Sequence, residues 1–291
     1  MAAGDTITQS LDASLPVVVA AARQVREFEG VMPNLCDLVT MDEGTGQSWR
    51  EVSMAQLTAQ EVTETTRLDN PQQMSDSLFS ITPTVVGIQT LVTDRVAARI
   101  SPKAYAQLGS LAQNAIERKK DEDGLTVLDG ATTSFGSSST TLTSGHISAA
   151  TYQISSNTTE PGNPPYRCVL HGFQIKDISD EITAGIGTYP VGEGLTARVF
   201  AEKFQGMVSG AQIYEDGNIT IDGSFDAKGG IFAQEAIILV QGRSPSTEVR
   251  REPHIGGGAN TVFLYDEYAY GERSAGNWLY EVQSDATSPT S

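Results

Sequence analysis

The sequence predicts an α+β fold, and three observations carry the prediction. A β-branched run, SITPTVVGIQTLV at 80–92, leads into a long amphipathic helix. Short strand-like and helix-like tracts then interleave through the middle of the chain. The last third is dominated by strand patterns such as AIILV at 236–240. At 291 residues the chain is long enough for one large domain or two ordinary ones, at about 100–200 residues each.

Taken in order, residues 11–30 carry Leu15, Val18, Val19, Ala22 and Val25 at mixed three and four spacings. With Asp12 or Ser14 as cap and Gly30 as stop, they predict one amphipathic helix. The polar, Thr/Gln-rich stretch at 41–80 reads as a long two-stranded hairpin turning at Leu68-Asp69-Asn70-Pro71, with Val52, Met54 and Leu57 on one flank and Met74, Leu78 and Phe79 on the other. An isolated ribbon in water is marginal and needs a covering surface. The N-terminal helix likewise has an apolar stripe without a neighbouring helix in sequence, so both elements point to self-association. The candidate contact residues are Val18 and Val25 on the helix, with Trp49, Val52, Met54, Leu57, Met74 and Leu78 on the ribbon.

After the strand at 80–92, Thr93-Asp94 caps a short helix through Ile100. Ser101 and Pro102 open the long helix, whose apolar face is Tyr105, Leu108, Leu111, Ala112, Ala115 and Ile116. From Pro102 to Asp123 it would span roughly 33 Å. Arg118, Lys119 and Lys120 are assigned to its last turns and Gly124 or Gly130 to its stop. The Ser/Thr-rich segment 131–146 reads as a surface connection, after which a second domain begins. There a helix is predicted at 146–155, a strand at 166–170, and a helix at 173–182 with Phe173, Ile175, Ile178 and Ile182 inward. A Gly-rich turn region at 185–194, a helix around 200–207, a strand at 211–214 and strands at 236–240, 261–265 and 278–282 complete the reading.

Charge and motifs exclude several functions. Nineteen basic against thirty-six acidic residues give a net charge of −17, a surface that repels phosphate, so a sequence-reading DNA binder is disfavoured. No apolar run is long enough to span a bilayer, and the opening MAAGDTITQS lacks a secretory signal pattern. Cys36 and Cys168 form no CxxC motif and read as buried thiols. His146, His171 and His254 lack zinc spacing and are assigned capping or core roles. GIGTYPVGEG at 185–194 is not a phosphate loop. The Asp216-to-Asp222 stretch has Ala227 where a calcium loop needs its glutamate, and reads instead as a hairpin turn at Asp216-Gly217. No GxSxG elbow is present. No catalytic, cofactor or metal residues are therefore assigned, and no enzymatic activity is expected.

The order of these pieces resembles the major capsid proteins of tailed phages, the Hong Kong 97 fold. The stretches that carry the likeness are residues 80–131, YRCVLHGFQIKDI at 166–178, GGIFAQEAIILVQ at 229–241 and FLYDEYAYGERSAGNWLYEVQSDA at 263–286. The resemblance implies an N-terminal arm at 1–40, an extended loop at 41–80, and a peripheral domain with its spine helix at 81–145. It further implies a mainly apical domain at 146–240, and closing strands with a C-terminal tail at 241–291. It implies a coat subunit forming hexamers and pentamers of an icosahedral shell around double-stranded DNA, in a virion assembled in the host cytoplasm. The partners implied are itself, a separate scaffolding protein, a portal and a decoration protein; DNA contact is non-specific, and no membrane is involved. Some relatives link the extended loop to a neighbour through Lys and Asn, but no lysine precedes Lys103 here, so a non-covalent shell is expected. A fused scaffold is not expected, since about 40 residues precede the hairpin. The competing readings are an encapsulin-type nanocompartment shell and, from another class, a β-rich surface hydrolase or glycan-binding protein.

Overall fold

The computed structural model describes residues 28–42, 44, 46–67, 71–99, 102–185 and 206–289. The one-turn helix α1 (Met32–Leu35) leads into β1 (Asp37–Thr40). The ribbon of β2 (Trp49–Met54) and β3 (Asp76–Ile81) follows, then β4 (Thr84–Thr93), α2 (Asp94–Arg99) and α3 (Pro102–Asp129). Next come β5 (Ser134–Gly136), α4 (Ser144–Ser155), β6 (Tyr166–Leu170), α5 (Gly172–Gly185), β7 (Met207–Val208) and β8 (Ala211–Glu215). The chain closes with β9 (Asp226–Ala233), β10 (Ile237–Glu252), β11 (Ala259–Glu272) and β12 (Leu279–Asp285).

These strands form a four-stranded sheet, β1-β10-β11-β4, a six-stranded sheet, β5-β12-β9-β6-β8-β7, and the separate two-stranded ribbon. Within the four-stranded sheet β1 runs parallel to β10, while β10, β11 and β4 are antiparallel. Helix α3 lies against both sheets. Leu128 packs where a Cβ on Gly230 of β9 would meet it at 2.9 Å, and Lys120 pairs with Asp266 of β11. The main core is built from Met32, Leu128, Ile178, Ile231, Phe232 and Leu279, and a smaller one from Ile81, Ile238 and Val240. β9 and the start of β10 are apolar on both faces because each is an inner strand covered on both sides.

The α+β prediction holds, and α4, β6, α5 and β8 fall where the sequence placed them. Ile175 and Ile178 of α5 are buried, as the 3.6-residue period requires. The predicted helix at 11–30 lies outside the described residues up to 27, as do the Gly-rich region from 186 onward and the predicted helix at 200–205; Met207 belongs to a strand.

Several predictions are corrected. The tract 80–92 is not one strand: Pro83 has no N–H to give a ladder, and the chain bends there, leaving β3 in the ribbon and β4 in the sheet. The ribbon pairs over only six residues a side, Trp49↔Ile81 to Met54↔Asp76. Helix α3 has 28 residues, about 42 Å, and Gly124 does not stop it. Gly124 is there for close approach, since a Cβ would lie 2.8 Å from Met32 Cβ and 3.2 Å from the Tyr270 ring; Gly130 ends the helix, its N–H donating to Thr126 O at 3.1 Å. Arg118, Lys119 and Lys120 consequently sit in mid-helix, where Arg118 and Lys119 pair with Glu122 and Asp123 one turn on. The 131–146 connection is largely exposed but contributes β5, an edge strand on β12, and buries Leu142. No hairpin turns at Asp216-Gly217, because β6 lies between β8 and β9; the tight turn comes later, with Phe225 N–H donating to Asp222 O at 3.1 Å and Phe225 at φ +66°.

Candidate assembly surfaces

The register of the ribbon fixes which side chains face the body. Trp49, Glu51, Phe79 and Ile81 share one face. Trp49 meets Phe79 edge-on at 6.2 Å, and Ile81 and Phe79 lie over Gly271, where a Cβ would be 2.4 Å from Ile81 Cδ1 and 3.0 Å from Phe79 Cζ. Arg273 locks the same face. Its Nε binds Glu51 Oε2 at 2.8 Å, its Nη2 reaches Asp37 Oδ2 at 3.3 Å, and its Nη1 donates to Glu235 O at 2.8 Å. One guanidinium therefore ties the ribbon, β1 and the β9–β10 turn, using the planar fork that lysine lacks.

The opposite face carries Arg50, Val52 and Met54 against Ser80, Leu78 and Asp76. Val52 is 53% exposed, Met54 69% and Leu78 61%, and beyond the strands Leu57 is 60% and Met74 66% exposed. Val52 and Leu78 are direct cross-strand partners, so their side chains form one apolar patch. Of the predicted contact residues these five are solvent-facing, whereas Trp49 is half-buried and anchors the ribbon's foot. Val18 and Val25 lie outside the described residues. Past Met54 the chain leaves strand geometry but stays paired: Ala55 N–H donates to Ser75 O at 2.9 Å, and Thr58 and Gln72 exchange hydrogen bonds. Gln56 also donates to Thr159 O. Val62 in this tip, and Val85 and Val249 on the four-stranded sheet, are further exposed apolar side chains that the sequence reading did not single out.

The described residues hold no His/Cys/Asp/Glu group able to bind a metal, and no helix long and apolar enough to cross a membrane. Burial pushes the Cys36 thiol up to about 12 and raises Cys168 as well, so both are protonated and unreactive. His146 Nδ1 lies 3.2 Å from the Thr143 N–H in a capping box, and His171 Nδ1 accepts the Phe173 N–H at the start of α5; both are the capping roles expected. The groove lined by Lys119, Asp123, Asp129 and Lys228, of about 310 Å³, pairs its own charges, Lys119 with Asp123 and Lys228 with Asp129.

No family model and no curated protein matches the chain. Solved structures do. A chain from Mycobacterium phage Che8 superposes with a TM-score of 0.72 at 16% identity, covering 92% of this chain and 96% of that one. The capsid structure of cyanophage P-SCSP1u gives 0.69 at 12% identity, with 94% of each chain covered. The capsid of Ralstonia phage GP4 gives 0.67 at 14% identity, covering 94% of this chain and 96% of that one. The fold is therefore the one built by phage capsid structures. It is the Hong Kong 97-like fold that the sequence order resembled, present over nearly the whole chain.

Proposed function

We propose that this chain is a structural coat subunit that assembles with copies of itself into the hexamers and pentamers of an icosahedral phage head enclosing double-stranded DNA. The observation that carries the reading is the ribbon: locked to the body on one face by Arg273 and Phe79, it presents Val52, Met54, Leu78, Leu57 and Met74 to solvent on the other. Covering those five side chains with a neighbouring copy would contribute about 1 to 2 kcal/mol each, repeated at every copy of the interface. Function is then geometry, and no turnover is required of any residue.

In this reading the four-stranded sheet with α3 is the peripheral domain, the six-stranded sheet with α4 and α5 the apical domain, and β2–β3 the extended loop. The net charge of −17 suits a container wall that does not hold packaged DNA by its phosphates. The shell is non-covalent, since residues 41–80 contain no lysine to link to a neighbour. A separate scaffolding protein, a portal and a decoration protein are the further partners, and the virion is the location. Analytical ultracentrifugation tests this: the chain purified from cells that co-express the phage head proteins sediments as large uniform particles, and Val52→Asp with Leu78→Asp returns it to small species of unchanged secondary structure. Wild-type protein that remains monomeric at every concentration, with the head proteins as well as without them, contradicts the proposal. Particles holding protein cargo without nucleic acid indicate a nanocompartment shell instead.

A further inference from the structure

The segment at 28–32 is held by two acids from different elements. Asp121 on α3 is fully buried, and its Oδ1 accepts the Met32 N–H at 3.0 Å. Asp216, just after β8, is buried as completely, and its Oδ2 accepts the Val31 N–H at 3.3 Å. Asn218 joins the two: its side-chain amide donates to Asp121 Oδ2 at 2.8 Å and its backbone N–H to Asp216 Oδ1 at 2.9 Å. The fit is close. A Cβ on Gly30 would lie 2.1 Å from Asp121 Cγ, and one on Gly217 would lie 2.8 Å from the Phe28 ring. Gly30 is thus required for the chain to pass the carboxyl.

Among the described residues no Lys, Arg or His makes an ion pair with either acid. The other groups facing the pair are Cys36 after α1 and Tyr270 on β11, both kept neutral by burial; Glu29 and Glu215 flank it along the chain. Arg167 of β6 is turned to Leu35 O and acts on Cys36. Two buried carboxyls in contact do not both ionise readily. Burial, opposed by the Asn218 N–H and reinforced by the Asp121 charge, pushes the Asp216 carboxyl up to about 7. Because this lies above its ordinary value of 3.8, the proton belongs to the closed form: the stability it confers is whole below that value, drains away as pH rises from there, and is gone above about 7.

We propose that Asp121 and Asp216 form a proton-held latch that fastens the segment at 28–32 to the spine helix and releases it when the shared proton leaves. The latch is a property of the single chain and stands whether or not the chain builds a shell. Hydrogen–deuterium exchange of the purified protein at pH 4 to 9, corrected for intrinsic rates, tests it. Protection of the Val31 and Met32 amides falls by up to tenfold per pH unit between about 4 and about 7 and levels off above that, while amides of β6 hold theirs. Asp216→Asn, uncharged at every pH, keeps the segment protected throughout, whereas Asp121→Asn, which leaves Asp216 buried, keeps a slope that ends at a lower pH than in the wild type. A flat wild-type profile overturns the latch without recourse to any variant. So does a wild-type slope retained in Asp216→Asn.

Discussion

Replacing Lys120 with Met removes a cation from the interior while leaving its partner behind. Lys120 Nζ lies 2.7 Å from Asp266 Oδ2, with side chains 8% and 1% exposed. Asp266 Oδ1 is served by Gln241 Nε2 at 2.7 Å and by the Glu267 N–H at 2.9 Å, but Oδ2 takes no hydrogen bond of good geometry and depends on the ammonium beside it. The ammonium also lies 4.9 Å from the Tyr268 ring centroid. Met keeps the apolar stem, so the loss is that of an uncompensated buried carboxylate, about 3 to 5 kcal/mol. That corresponds to a fall in Tm of roughly 6 to 20 °C. Differential scanning fluorimetry of Lys120→Met, Asp266→Asn and the double variant measures it, and the double variant recovers much of the loss because no charge is then orphaned. A single-variant loss below about 1 kcal/mol, or strict additivity in the double variant, would refute the reasoning.

Gly124→Ala ordinarily gains about 1 kcal/mol in a helix interior, but here the new methyl meets Met32 Cβ at 2.8 Å, so a net loss of about 1 to 2 kcal/mol is expected in thermal melts. Cys36 and Cys168 fail to react with a thiol reagent at pH 8 in the native protein and react fully once it is denatured. A denaturing gel of mature particles shows the 31.0 kDa band and no high-mass ladder.

The sequence made the periodic elements legible wherever one rule acted alone. YRCVL is apolar and bounded by turn residues, and it is β6; the Ile175 and Ile178 spacing is helical, and it is α5. Errors arose where two local rules competed. Gly124 reads as a stop by propensity, yet Met32 and Tyr270 claim the space its missing side chain leaves, so the helix runs through it. Asp216-Gly217 has the letters of a hairpin turn, but β6 intervenes between the strands it would join. For the exposed face of the ribbon, hydrophobic alternation found Val52, Met54 and Leu78. The role of Arg273, 222 positions from Glu51, was out of reach because that pairing exists only once β11 has brought it to the ribbon. The same holds for Asp121, to which the sequence reading assigns no role, and Asp216, which it reads as a turn residue; they become a buried pair only through the packing of α3 on the β8–β9 connection.

Negative-stain electron microscopy of the purified chain, in the presence and absence of co-expressed phage head proteins, tests the coat-subunit reading most directly. Closed, uniform shells whose surface resolves into hexamers and pentamers are the predicted result. Dispersed single subunits under every condition, with the Val52, Met54 and Leu78 face still open to solvent, would contradict it.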